Sequence, residues 1–271
     1  KFYRNMIFCY DNSVFLVGND EKHYVNLYRV ESDGSSWEKY MTLFKAEMTT
    51  ITENGMTTTS WRYPDVCLHE DYVYYIDNSE SAPKLRRIQM CGKEVEVIFE
   101  PEGEQTLLYR MMCYGDFVFV QAGKYVGEEI VAGIYAYNTK TEEITLVKAN
   151  AIRGYCIAGE VLYYESNEKI YKYDLKTGRN DELPITSPLT AVCEFFADEN
   201  GIYLFNSSNG KLEVYDETGI LLMSVVDKQI RECGFGEDGI FYGMVGDGSG
   251  RSAILEIKDV LSGNGKWLYI Q

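Results

Sequence analysis

The chain has few of the residues that metal sites and acid–base catalysis most often use. Only two histidines, His23 and His69, occur among its 271 residues, and the seven cysteines form no Cys-x-x-Cys pair. Zinc ligation of ordinary spacing is therefore not indicated, and we expect no metal and no cofactor. Because the number of cysteines is odd and their spacing follows no known framework, the sequence does not indicate a disulfide framework either.

Long apolar runs and prolines are also scarce. No stretch of about 18 apolar residues is present, so we predict no membrane insertion. Only 5 prolines stand against 24 glycines, and this ratio indicates many tight turns and few rigid linkers. The first residue is Lys1 and not Met, so we expect a mature or trimmed form in which a preceding secretion signal would not be visible.

The charge is strongly one-sided. The formal net charge is −16, and such an acidic surface repels phosphate backbones and anionic lipids. We therefore expect no nucleic-acid partner. The same acidity makes any local group of arginines more informative than it would be in a neutral chain.

A repeated strand pattern fills the chain. In Asp71–Ile98 the segments Tyr72–Ile76, Leu85–Gln89 and Glu94–Ile98 read as strands joined by turns. Similar units recur six times, and with 14% aromatic residues, 23 of them Tyr, they favour β-structure. The predicted fold is all-β, a single six-bladed β-propeller of four-stranded antiparallel blades. The blades are predicted at residues 1–45, 65–100, 108–149, 150–184, 189–226 and 229–271.

Two segments interrupt this pattern. Residues 46–64 are rich in threonine and lack a helical period, so they are predicted to be an inserted loop, with a short hairpin at Glu53-Asn54-Gly55 as an alternative. A longer loop is also predicted at Ala122–Val131.

Six of the cysteines fall once per unit, in or beside the first strand: Cys9, Cys67, Cys113, Cys156, Cys193 and Cys233. We interpret them as small, unpaired core residues near the propeller axis. A ring of thiolates around a metal is the alternative, but one cysteine per blade is too dispersed for tetrahedral ligation.

These repeats resemble a known group of propellers. Tyr74-Tyr75-Ile76-Asp77 occupies the position of the Tyr-Trp-Thr-Asp motif of lipoprotein-receptor propellers, and Leu27–Tyr40 supplies the arginine strand and the Asp33-Gly34 turn. The pattern is similar to the bacterial DUF5050-type propellers, which are related to those YWTD domains. The resemblance implies a binding or scaffolding role at the cell envelope and no chemistry.

An arginine recurs near the start of the first strand in five of the six units. These are Arg4, Arg62, Arg110, Arg153 and Arg231. In a propeller they would converge at one mouth of the central channel, where guanidinium groups suit carboxylate, sulfate or phosphate. We predict that they bind an anionic ligand, with Trp61 stacking on a sugar or peptide. The alternative is that each arginine pairs with an acid such as Asp65, Glu194 or Glu232 and fastens adjacent blades.

No catalytic motif accompanies the arginines. Gly246–Gly250 misses the Gly-x-Ser-x-Gly spacing, and Asp198-Glu199-Asn200-Gly201 is better explained as a β-turn than as a calcium loop. We predict a non-enzymatic, monomeric binding module for a glycan, peptide or protein ligand. Its expected location is extracytoplasmic or in the cell envelope, with the cytoplasm left open. The alternative function is a lyase or hydrolase that acts on an anionic saccharide.

Overall fold

The chain is almost entirely β-structure in a computed structural model. The structure describes residues 2–11, 13–31, 36–46, 48–53, 56–61, 65–79, 82–103, 106–127, 129–151, 154–185, 193–235, 239–246 and 251–270.

The described strands form six four-stranded antiparallel sheets in which consecutive strands pair in chain order. These sheets are the blades of a six-bladed β-propeller, so the predicted fold class is confirmed. The chain divides into two compact units, residues 1–150 and 151–271. No helix among the described residues is long and apolar enough to cross a membrane.

The first unit contains three blades and a separate hairpin. Blade 1 consists of β1 (Phe2–Tyr10), β2 (Ser13–Asn19), β3 (Tyr24–Val30) and β4 (Trp37–Lys45). The hairpin consists of β5 (Met48–Glu53) and β6 (Met56–Trp61). Blade 2 consists of β7 (Val66–His69), β8 (Tyr72–Asp77), β9 (Lys84–Gln89) and β10 (Val95–Phe99). Blade 3 consists of β11 (Thr106–Tyr114), β12 (Phe117–Val126), β13 (Glu129–Asn138) and β14 (Ile144–Ala149).

The second unit contains three blades and one short helix. Blade 4 consists of β15 (Tyr155–Ala158), β16 (Val161–Ser166), β17 (Lys169–Asp174) and β18 (Asn180–Glu182). Blade 5 consists of β19 (Cys193–Asp198), β20 (Gly201–Asn206), β21 (Lys211–Tyr215) and β22 (Leu221–Val226). Blade 6 consists of β23 (Ile230–Phe235), β24 (Ile240–Val245), β25 (Ser252–Glu256), the helix α1 (Ile257–Leu261) and β26 (Leu268–Ile270).

Both segments predicted as loops contain strands instead. The threonine-rich insert forms the β5–β6 hairpin, which agrees with the alternative drawn from its sequence. Threonine is β-branched and favours extended backbone, and this outweighs the lack of apolar alternation. In blade 3, β12 and β13 continue through the predicted loop to the pair Val126 and Glu129, and Gly127 turns the chain with φ 68°.

Aromatic and aliphatic side chains fill the space between blades 1 and 2. Phe15, Val25 and Leu27 of blade 1 share one apolar cluster with Val73 and Tyr75 of blade 2. The rings of Phe44 and Tyr75 stack with centroids 5.6 Å apart and an interplanar angle of 4°. Each sheet thus buries a face that it cannot cover alone.

A buried arginine ties blade 2 to blade 3. The Arg87 side chain in β9 donates to Glu96 Oε2 of its own blade at 2.6 Å. It also donates to Glu142 Oε1 at 2.6 Å and to the Tyr137 hydroxyl at 2.8 Å in blade 3. Burial alone would lower the pKa of Arg87, but the hydrogen bonds to Glu142 and Glu96 raise it above its ordinary value. The buried guanidinium group of Arg87 therefore binds residues of both blades.

The core of the second unit lies between blades 5 and 6. Tyr203 and Phe241 meet edge to face with centroids 5.2 Å apart, within an apolar cluster that includes Trp267 and Val260 of α1. The helix was not predicted, because five residues are too few to show a helical period.

Aspartate side chains close many of the turns. Asp174 accepts the backbone N–H groups of Lys176 and Thr177, and the hydrogen bond from Thr177 lowers the pKa of Asp174. Asp216 accepts from Thr218 and Ile220 in the same way. Part of the acidity of the chain is thus explained by turn formation.

The cysteines correct two expectations. All six lie in first strands, as predicted, but Cys67 of β7 and Cys113 of β11 form a disulfide between blades 2 and 3. The expectation of unpaired thiols is wrong for this pair, because adjacent first strands bring the two positions to a Cα–Cα distance of 6.6 Å. Cys156 and Cys233 are buried as predicted, whereas Cys9 is exposed.

Replacing Arg87 with Met should destabilise the first unit, because Glu96, Glu142 and Tyr137 lose their shared donor. We expect the free energy of unfolding to fall by about 2–3 kcal/mol, measured by urea denaturation. Arg179→Met is the matched control, since Arg179 pairs with Asp181 on the surface, and its effect should stay below about 0.5 kcal/mol. Equal effects of the two substitutions would contradict the structural role of Arg87.

The disulfide should stabilise the first unit by closing a long loop. The two cysteines are 46 residues apart, so the double variant Cys67→Ala/Cys113→Ala should lose about 2–4 kcal/mol of unfolding free energy. Thermal unfolding with and without a reducing agent measures this loss, and the reducing agent should destabilise only the wild type. The exposed pair Cys9→Ala/Cys91→Ala is the control and should unfold like the wild type.

Candidate functional site

Two of the six predicted ligand-binding residues have described side chains, Arg110 and Arg231. Arg62 and Arg153 lie outside the described residues. For Arg4 in β1 and Trp61 in β6 the structure describes only the backbone.

Arg110 lies at a β-bulge within β11, four residues after the start of the strand and not at its entrance. The pairing with β12 shifts between Tyr109 and Met111, and the φ of Arg110 is 51°, in the left-handed region. A bulge leaves its extra residue outside the regular ladder. The side chain of Arg110 is accordingly exposed.

Asp65 holds this bulge in place. Its carboxylate, just before β7, accepts hydrogen bonds from the backbone N–H groups of Arg110 and Met111. Burial raises the pKa of Asp65, and these hydrogen bonds together with the nearby guanidinium of Arg110 oppose the rise. Blade 2 therefore fixes the backbone from which Arg110 projects.

Tyr109 precedes this arginine and interacts electrostatically with a second tyrosine of the same blade. Burial raises the pKa of Tyr109 to about 12, the guanidinium of Arg110 opposes this rise, and the phenol of Tyr125 adds to it. Tyr125 belongs to the extended β12–β13 hairpin, and 43% of its surface is exposed. We call Tyr109, Arg110 and Tyr125 the tyrosine–arginine cluster. It combines a cation with an accessible aromatic face within a single blade.

Arg231 also occupies a β-bulge, and its side chain binds the neighbouring blade. The register of β23 shifts between Ile230 and Glu232. The Nη1 atom of Arg231 donates to the carbonyl oxygens of Ser207 at 3.2 Å and Ser208 at 3.0 Å, in the β20–β21 turn of blade 5. The aliphatic part of the Arg231 side chain packs against Gly246, and a Cβ added at Gly246 would lie only 2.1 Å from Arg231 Cγ. This geometry agrees with the blade-fastening alternative, with backbone carbonyls as the described partners.

The described residues contain no group of three or more His, Cys, Asp or Glu side chains that could hold a metal ion. Asp198 accepts the backbone N–H groups of Asn200 and Gly201 and the hydroxyl of Tyr203. Its carboxylate therefore serves a β-turn, which is the interpretation that the sequence favoured over a calcium loop.

Sequence reasoning identified Arg110 and Asp65 but missed Tyr109 as part of the cluster. The segment Gly123–Val131 contained a local signal for a hairpin, because Gly127 separates two runs of strand-forming residues. Interpreting it as a hairpin rather than a loop would have extended β12 as far as Tyr125, near the start of β11 in the same blade.

The comparisons with known proteins show the fold and no family. No family profile matches the chain, and no curated protein matches its sequence. A variant of puromycin hydrolase resembles it with a TM-score of 0.63 and 12% identity, over 98% of this chain and 46% of that one. The acylaminoacyl peptidase of Pyrococcus horikoshii gives 0.60 and 11% identity, over 100% of this chain and 46% of that one.

A third structure, the nidogen–laminin complex, matches 80% of this chain and 76% of its own at a TM-score of 0.50 and 10% identity. This neighbour supports the propeller fold, while the YWTD-like and DUF5050-type resemblances stay predictions. The chain spans less than half the length of the two peptidases. The structural neighbours therefore include both peptidases and a protein-binding assembly.

Replacing Arg231 with Ala should weaken the contact between blades 5 and 6, because two carbonyl oxygens lose their donor. We expect a loss of about 0.5–1.5 kcal/mol in the free energy of unfolding, measured by urea denaturation. Arg231→Lys, which keeps the charge and one donor, should lose less. If Arg231→Ala unfolds like the wild type, the fastening role is wrong.

Proposed function

We propose that this chain is a non-enzymatic binding module that recognises an anionic glycan, peptide or protein ligand at the tyrosine–arginine cluster. The observation that carries the proposal is the exposed Arg110 on its bulge, whose backbone is held by Asp65 and which follows Tyr109, the neighbour of Tyr125 in the same blade. A guanidinium group offers paired N–H donors to carboxylate, sulfate or phosphate.

The surrounding charge makes this cluster selective. In a chain with net charge −16, Arg110 and Lys124 bring two exposed cations to adjacent strands of blade 3, with the Asp65 carboxylate close to Arg110. Acidic surroundings repel anions elsewhere on the surface, so an anionic ligand gains most at such a pair of cations. The accessible ring of Tyr125 adds a surface on which a sugar ring or a peptide side chain can stack.

The pKa of Tyr109 argues against a role as general base. A tyrosine that serves as a general base needs a pKa lowered towards neutrality, whereas burial raises that of Tyr109 to about 12. Tyr109 therefore stays protonated at neutral pH and contributes a hydroxyl donor. The match to the nidogen–laminin complex supports a binding role in the same sense.

The disulfide supports an extracytoplasmic location. Disulfides persist in oxidising compartments and are rare in the cytosol, where thiols are kept reduced. The bond between Cys67 and Cys113 fits the cell-envelope location expected from the sequence. Arg4, Arg62, Arg153 and Trp61 stay predicted ligand-binding residues, whereas the Arg231 side chain serves the contact between blades 5 and 6.

The test measures binding of acidic probes by isothermal titration calorimetry. The probes are oligogalacturonate, a heparin oligosaccharide and an oligoglutamate peptide. We expect at least one to bind, and Arg110→Ala to weaken it by about tenfold or more, since one charge-assisted interaction contributes roughly 1.5–3 kcal/mol. Tyr125→Ala should weaken a saccharide probe more than the peptide.

Arg179→Ala is the control, because Arg179 is an exposed arginine of blade 4 that lies outside the cluster. It should bind each probe like the wild type. The proposal is wrong if no probe binds, or if Arg110→Ala binds them all as tightly as the wild type does.

A further inference from the structure

The outer strand of blade 5 differs from most other outer strands because it carries no charge. From Ile220 to Val226 the sequence is ILLMSVV, and Leu221, Leu222 and Val226 are 49%, 48% and 56% exposed. The outer strands β4, β10, β14 and β18 each contain a charged residue: Glu38, Glu96, Lys148 and Asp181, respectively. Charges at a sheet edge normally prevent pairing with another chain, and β22 lacks this protection. The outer strand β26 is also uncharged but has only three residues.

The backbone of β22 has an open edge. Strand β22 is the last in the order of its sheet, and within the described part of the chain no strand pairs with its far side. The N–H of Asp227 donates to the carbonyl of Gly210 at 2.9 Å. Because antiparallel residues alternate in direction, the N–H and C=O groups of Val226 and Ser224 then point away from β21.

One face of β22 is covered by apolar packing, although its backbone edge is open. Met223 and Val225 pack against the apolar cluster of blades 5 and 6, which includes Val260 of α1. The intervening Leu222, Ser224 and Val226 stay exposed. An added strand could therefore pair along the edge without displacing any part of this core.

The charges at the two ends of the strand select the occupant. Asp216 and Glu217 precede it, with Glu217 Oε2 3.5 Å from Lys172 Nζ, and Asp227 follows it, next to Lys228. The side chain of Glu217 is 76% exposed. A second copy of this chain would bring the same acidic ends and a further net charge of −16, so self-pairing is opposed by repulsion. A strand with basic ends would be attracted instead.

We propose that β22 accepts an added strand from another protein, an extended apolar segment with lysine or arginine at its ends. Main-chain hydrogen bonds to Ser224 and Val226 would supply affinity, and the acidic ends would supply selectivity. This surface belongs to the second unit and the tyrosine–arginine cluster to the first. The inference is therefore independent of the proposed function.

The test uses a synthetic peptide with an alternating valine–threonine centre and a lysine pair at each end. Binding is measured by fluorescence anisotropy, and amide hydrogen exchange locates it. We expect the peptide to bind and to protect the amides of Ser224 and Val226. A peptide with the same centre and glutamate pairs at its ends should bind about tenfold more weakly or not at all.

Two substitutions at one position isolate the backbone contribution. Ser224→Pro removes an outward N–H and no ladder hydrogen bond, so binding should be lost, whereas Ser224→Ala keeps the N–H and should bind like the wild type. Circular dichroism verifies that both variants fold. Leu222→Lys places a charge on the same edge and should also abolish binding. This variant replaces Ser224→Pro in the test if Ser224→Pro does not fold.

Three results would overturn the proposal. The first is that the lysine-flanked peptide shows no binding to the wild type at concentrations up to about 1 mM. The second is that the folded Ser224→Pro or Leu222→Lys variant binds this peptide like the wild type. The third is a dimer of the wild type in analytical ultracentrifugation that Ser224→Pro dissociates, in which case a second copy occupies the edge.

Discussion

The burial of sheet faces between neighbouring blades is the interaction on which the rest of this structure depends. A four-stranded meander has two faces, and a blade on its own would leave apolar side chains of both faces in water. The Phe44–Tyr75 stack and the Tyr203–Phe241 contact lie between blades, not within them. Polar contacts between blades, such as the ion pair of Arg87 and Glu142, form at a distance between blades that the apolar packing determines.

Short-range signals explain why the fold could be predicted from the sequence. Alternating side chains and glycine or aspartate turns are local, and they correctly indicated three strands of blade 2 to within one residue at each end. The features that were missed depend on contacts that local patterns do not encode. The Cys67–Cys113 bond joins strands of different blades, and α1 is stabilised by its packing against blade 5 and not by its own length.

The candidate site was predictable in its positions and not in the directions of its side chains. The recurrence of arginine in the units is visible in the sequence, but Arg110 and Arg231 are both bulge residues with different surroundings. A carboxylate fixes the backbone at Arg110, whereas the stem of Arg231 crosses Gly246 to reach two carbonyl groups. Bulge geometry depends on the partner strand, so arginines at two bulges of the same kind have different neighbours in the two blades.

The disulfide also determines how the first unit would respond to a pulling force. The covalent link between Cys67 and Cys113 encloses β8, β9 and β10, together with the end of β7 and nearly all of β11. A force applied to the chain ends passes through the sulfur atoms and bypasses the segment between the two cysteines. At a sequence separation of 46, this segment has an extended length of about 160 Å. Blade 2 is therefore mechanically shielded while the bond is intact. Reduction would release that length as a separate extension step.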